Sequence, residues 1–197
     1  TAASSLVGVF FLQVMAVEQS ALLVDWVLFN GRFEVHSRRM GHEGAVPTVH
    51  CSGAVSAREA LQPVDHARAC SSVHAADSSG ALYDAYSSVG LQYGPGFRTL
   101  SRAWGGTCCV AQLARRTEWQ GTHVHPADLD GALQLGAVSP SVPFAVDKAQ
   151  LSSQLTARAL PVRGLVMQQH AGASLVAMAS INGHTEARMD GFKARPL

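Results

Sequence analysis

The sequence predicts an α+β fold in which an antiparallel sheet wraps around one central helix. Three observations in its second half point there. The decapeptide His125-Pro126-Ala127-Asp128-Leu129-Asp130-Gly131-Ala132-Leu133-Gln134 reads as the start of a long, apolar helix. Gly105-Gly106 separates two strand-like runs, 97–104 and 107–113, as a hairpin turn does. Asn182-Gly183 is the best turn in the chain, and it joins 175–181 to 185–193.

The elements follow in chain order. Residues 6–17 are apolar apart from Gln13, and Ser4 or Ser5 in front of them suits a helix cap, so a helix is expected there. The run is too short to span a bilayer and lacks the flanks of a signal peptide. Residues 22–30 read as a strand that turns at Asn30-Gly31. Phe33 and Val35 then alternate with Arg32, Glu34 and His36, the pattern of a half-buried strand. Residues 48–55 alternate likewise, after a turn-like stretch over 38–47. A short helical turn is expected over 57–61, ended by Pro63. Ser71, Ser72, Ser78, Ser79 and Gly80 mark a linker. The expected division is therefore a unit over 1–60, a linker over 61–77 and a second unit over 78–197.

In the second unit, Leu82, Tyr86 and Val89 share a helix face, and Gly90 suits the position just past its end. A loop at Tyr93-Gly94-Pro95 precedes the 97–104 and 107–113 hairpin. Residues 118–124 lead into the central helix, which Pro140 and Pro143 are expected to end. Strands over 144–151 and 160–169 follow. The run 175–181 is apolar on both faces, as a central strand is, and 185–193 returns beside it. The sheet of this unit has about five strands.

Composition narrows the function classes. The chain has 197 residues, 47% hydrophobic, and carries a net charge of +1, which gives no electrostatic reason for nucleic acid or an anionic membrane as partner. Only 15% of residues are charged, as in a domain whose surface is mated to others. The four cysteines, at 51, 70, 108 and 109, form no metal-ligand or CxxC spacing. They read as reduced, buried thiols of a cytoplasmic protein, and no metal site is expected.

The chemistry gathers on the decapeptide. Pro126 opens the helix without losing a bond, because a first turn leaves its N–H unpaired anyway. His125 sits at the entry as a structural residue bonded to backbone. Asp130 and Gln134, four apart, share one face. A carboxyl on so apolar a helix is desolvated, which raises its pKa and suits it to donate a proton. Gln134 is placed to fix its rotamer. Asp128 faces elsewhere and reads as solvated. Gly131 and Gly136 allow a neighbour to come close. Arg188, Lys193 and Arg195 read as a solvated face, with an acidic carrier protein as the alternative partner.

The decapeptide resembles the HPxxxDxxxQ motif of dehydratase domains of modular polyketide synthases. Tyr93-Gly94-Pro95-Gly96-Phe97 resembles that family's YGPxF motif. The stretches Gly31-Arg32-Phe33-Glu34-Val35-His36-Ser37-Arg38 and His50-Cys51-Ser52-Gly53 are similar to two minor family patterns. The resemblance runs from about residue 31 to the C-terminus. It implies a double hot-dog, two helix-and-sheet units side by side, with the N-terminal unit incomplete here. It also implies dehydration of a β-hydroxyacyl thioester to an enoyl thioester. The substrate would ride on the phosphopantetheine arm of an acyl carrier protein, with no other cofactor. Asp130 would be the catalytic acid. Tyr93, Gly94, Pro95, Phe97, His125, Pro126 and Gln134 would bind substrate or support the acid. Neighbouring synthase domains and a homodimer through the first unit are the implied partners.

The family's base is a histidine in an HxxxGxxxxP motif. None of the nine histidines has Gly four on and Pro five further; His36 comes nearest, with Met40 where Gly should stand. Either the base belongs to segments not in this sequence, or the domain is a non-catalytic scaffold. Double-bond migration and cyclisation use the same fold and residue pair. A plain thioester-binding hot-dog would not need both the Tyr93 and Asp130 motifs.

Overall fold

The computed structural model describes residues 2–16, 21–41, 44–64, 73–77, 79–106, 108–114, 116, 122, 124–135, 141–152, 163–170, 173–180 and 184–196. The first half holds strands β1 (Ala2–Phe11), β2 (Leu22–Phe29), β3 (Arg32–Arg39) and β4 (Thr48–Ala60). The second half holds β5 (Val73–Asp77), helix α1 (Ser79–Ser88), a 3₁₀ turn (Pro95–Phe97), β6 (Leu100–Gly106), β7 (Cys108–Leu113), helix α2 (Pro126–Gln134), β8 (Ser141–Ser152), β9 (Arg163–His170), β10 (Ala173–Ser180) and β11 (Thr185–Pro196). All eleven strands form one sheet, in the order β2-β3-β4-β1-β8-β11-β10-β9-β7-β6-β5. Every pairing is antiparallel.

β1 joins the two halves. It lies between β4 and β8, with Leu6 opposite Val55 on one side and Ala149 on the other. The helix expected over 6–17 is therefore a strand. Val7, Val9, Phe10 and Phe11 suit a pleated surface, and two flanking strands satisfy both edges of its backbone. Gly8 takes φ +56 where the register with β4 shifts, so glycine there permits a bulge. β4 also runs on through 57–60 instead of coiling, because Glu59 and Ala60 pair with Ala3 and Ala2.

The β2–β3 turn is as expected, with Asn30 at φ 49 and Gly31 at φ 74, the left-handed pair that a tight hairpin needs. α1 ends as its glycine suggests. Gly90 takes φ +90, the Leu91 N–H donates to the Tyr86 carbonyl and the Gly90 N–H to that of Ser87. Two expectations differ. β5 falls within 61–77, and six strands, β6–β11, follow over 78–197 where about five were foreseen. The central helix is short: Leu135 is already extended, at ψ 123, well before Pro140. Gly136, Asn182 and Gly183 lie outside the described residues.

The core lies between this short helix and the sheet. β10 is interior as expected, with Val176, Ala177, Met178 and Ala179 all buried. Val176 and Met178 share a cluster with Leu100, Leu113, Ala132, Leu135 and two tyrosines of α1. Each large apolar side chain removed from water there contributes about 1.5–3 kcal/mol. α2 is thus held on a rigid floor. Among the described residues no helix is long and apolar enough to cross a membrane.

Candidate functional site

The entry to α2 is fixed by local chemistry. His125 is the N-cap: its Nδ1 accepts the Ala127 N–H at 3.1 Å, and Pro126 begins the first turn. Asp128 is buried, at 2% exposure, and Arg116 donates to its Oδ1 at 2.8 Å. The expectation that Asp128 is solvated is therefore corrected. Its side chain faces inward from the first turn, where the helix dipole and a guanidinium both favour its negative charge.

Gly131 sets how deeply α2 sits. A Cβ there would lie 2.2 Å from Thr99 Oγ1. That hydroxyl donates to the Ala127 carbonyl at 3.2 Å, clamping the helix to the chain just before β6.

Asp130 and Gln134 lie one turn apart. The Gln134 amide donates to Asp130 Oδ2 at 2.7 Å and to the Phe97 carbonyl at 3.3 Å. Both neighbours are acceptors, which fixes the amide with its NH2 toward them. Its Oε1 is buried without a partner. Burial pushes the Asp130 carboxyl above the usual carboxylate range, and the Gln134 hydrogen bond opposes that rise. Burial is the stronger of the two. Among the described residues Gln134 is the one hydrogen-bond partner of this carboxyl.

The Tyr93 loop meets the same helix. Tyr93 packs edge-on against Tyr86, with ring centroids 5.1 Å apart, and against Tyr83 at 6.0 Å. Burial, then the Asp130 charge, pushes the Tyr93 hydroxyl up to about 12, while the Gln134 side chain pulls the other way. The hydroxyl therefore stays protonated at any ordinary pH and can donate. Gly94 accepts the Phe97 N–H and Pro95 the Arg98 N–H, which folds the loop into its 3₁₀ turn. Phe97 belongs to this turn rather than to a strand. Arg98 Nε closes the loop by donating to the Tyr93 carbonyl at 2.9 Å. A Cβ on Gly94 or Gly96 would meet open space, so the loop presents bare backbone.

The structure thus brings Asp130, Gln134, Tyr93 and Phe97 together, on a helix that His125 and Pro126 start. Tyr83, Tyr86, Thr99 and Arg116 also shape the site and were not foreseen. The i, i+3 spacing of Tyr83 and Tyr86 just ahead of the Tyr93 loop is the signal that could have found the first two. Two of the remaining histidines, His50 and His36, serve elsewhere. His50 is buried in β4, where its Nε2 lies 2.6 Å from Ser37 Oγ and its Nδ1 3.2 Å from the Gln13 carbonyl. His36 pairs with Glu34. The basic patch is engaged rather than free: Arg188 pairs with Asp190, Lys193 with Asp147, and Arg195 lies 4.2 Å from the Phe144 ring centre.

The family model described as the polyketide synthase dehydratase N-terminal domain matches residues 61–197. The chain belongs to the polyketide synthase dehydratase family. The synthase GfsE of Streptomyces halstedii is 34% identical over 131 residues, covering 59% of this chain and 3% of that synthase. This dehydratase chain therefore corresponds to a small fraction of that relative's length. The dehydratase domain from the CurF module of curacin polyketide synthase superposes with a TM-score of 0.82 at 17% identity, covering 99% of this chain and 77% of that one. A trans-AT dehydratase domain from Brevibacillus brevis gives 0.80 at 23% identity, covering 99% and 76%. The fold is the double hot-dog of those dehydratases. Its N-terminal unit is represented by β1–β4, with no helix among the described residues up to Ala60.

Proposed function

We propose that this dehydratase domain removes water from a β-hydroxyacyl thioester held on the phosphopantetheine arm of an acyl carrier protein, leaving an α,β-enoyl thioester. The observation that carries the reading is Asp130: a carboxyl whose pKa is raised by burial and whose rotamer is held by Gln134. A carboxyl whose pKa burial raises holds its proton more readily and is suited to give it to a departing hydroxyl. A histidine base takes the α-proton, the α–β double bond forms, and the β-hydroxyl leaves as water with the Asp130 proton. His125 is not that base, because its Nδ1 is committed to the helix cap. The Tyr93 hydroxyl, protonated throughout, donates to the substrate, and the bare backbone of Gly94 lets the acyl chain pass close. Inactive CurK dehydratase mutants in which a histidine becomes phenylalanine or an aspartate becomes asparagine support the same division of roles here.

A second reading is a scaffold domain without turnover. It is favoured by the lack, among the described residues, of any imidazole bonded to Asp130. One experiment separates the two. The synthase protein that carries this chain is given a carrier-bound β-hydroxyacyl chain, and the product is read by mass spectrometry. Loss of water that disappears in Asp130→Asn supports dehydration. Unchanged turnover in Asp130→Asn overturns the acid assignment, and no turnover in either protein establishes the scaffold.

A further inference from the structure

All three tyrosines of this chain meet at one place, around the helix that carries Asp130. Tyr93 belongs to the loop already described. Tyr83 accepts the Leu100 N–H at 3.2 Å through its hydroxyl and so braces the start of β6. Tyr86 does something different. It is 5% exposed, and its hydroxyl donates to the backbone carbonyl of Gln134 at 3.1 Å. That carbonyl belongs to the last residue of α2, and the Tyr86 hydroxyl is the partner it has among the described residues. Tyr86 is itself held by the α1 end, because the Leu91 N–H donates to its carbonyl. A chain of contacts therefore runs from the α1 terminus through the Tyr86 hydroxyl to the Gln134 backbone, then through the Gln134 amide to Asp130.

We infer that Tyr86 is a positioning residue, which pins the last turn of α2 so that the Gln134 amide is aimed at the Asp130 carboxyl. The inference rests on Asp130 being the acid. It goes further in naming what holds the orienting glutamine, 48 residues away in sequence. Without the phenol, the last turn of α2 loses its tie to α1 and loosens toward Leu135. Gln134 is then free to leave both Asp130 and the Phe97 carbonyl. Burial of the carboxyl would no longer be opposed by a donor.

The test is the carboxyl titration of Asp130 in the full chain, followed by carbon-13 NMR on labelled aspartate and assigned by its loss in Asp130→Asn. Tyr86→Phe keeps the ring and its packing. The expected result is an upward shift of the Asp130 midpoint, in the same direction as in Gln134→Leu, with no added shift in the double variant. Tyr83→Phe removes a buried hydroxyl bond of the same kind away from α2, and it should leave the midpoint in place. In the synthase, Tyr86→Phe should lower kcat several-fold with KM unchanged. An unmoved midpoint in Tyr86→Phe, an equal shift in Tyr83→Phe, or additive shifts in the double variant would overturn the inference. Unchanged turnover in Asp130→Asn would overturn the acid assignment instead, while the titration would still decide whether Tyr86 aims Gln134 at that carboxyl.

Discussion

Gly131→Ala is the sharpest probe of how α2 is seated. In an exposed helix the change would stabilise by about 1 kcal/mol, through helix propensity alone. Here the new Cβ would lie 2.2 Å from Thr99 Oγ1, while Leu113 at 3.5 Å stays in ordinary contact. Thr99 is 4% exposed and β-branched, so one turn of its χ1 brings its methyl group into the same space, and either turn gives up the bond to the Ala127 carbonyl. The clash must be relieved by moving the helix, at about 1–3 kcal/mol. The Thr99 bond to the Ala127 carbonyl is lost with it, at about 1 kcal/mol. The net expectation is a loss of about 1–3 kcal/mol. In a Thr99→Ala background the obstructing oxygen is gone, and Gly131→Ala should there gain up to about 1 kcal/mol. Urea unfolding followed by tryptophan fluorescence on the four proteins measures this reversal of sign. If Gly131→Ala stabilises on its own, or has the same effect in both backgrounds, the contact does not set the helix depth.

Two further expectations concern the charges of α2. The folded pKa of Asp130 is raised, so its protonation favours the folded state. That contribution is complete below the unfolded carboxyl pKa and is lost as pH rises through the folded one. Asp130→Asn, neutral at every pH, should therefore melt above the parent at pH 8 and lose the advantage as pH falls toward 4; a lower Tm at pH 8 would contradict the burial argument. Arg116→Ala leaves Asp128 buried without its guanidinium and should destabilise by ~2–4 kcal/mol. Adding Asp128→Asn should recover part of that loss, and denaturant midpoints that show no recovery would place the cost elsewhere.

The parts of the site that lie close in sequence were legible in it. Asp130 and Gln134 are one turn apart, so helical geometry alone puts them side by side. The hairpin at Asn30-Gly31 and the helix stop at Gly90 were equally readable, because each depends on a local left-handed residue. What was missed depends on distant partners. β1 looked like a capped helix because its apolar run has no alternation. It is a strand because β4 and β8 offer it pairing on both sides. Asp128 looked solvated because it stands two residues from Asp130 and so faces elsewhere on the helix; Arg116 reaches it from the strand-to-helix connection. The Tyr86 bond to Gln134 spans two helices and leaves no trace in spacing. The short edge strand β5 was hidden in a Ser-rich, His-rich stretch without periodicity.

The proposed chemistry turns on Asp130 being a half-buried acid that Gln134 orients. Its most direct test is the titration of that one carboxyl in the parent chain. The expected midpoint lies above that of an ordinary aspartate and rises further in Gln134→Leu. A midpoint at or below the ordinary value, unmoved by that substitution, would contradict it.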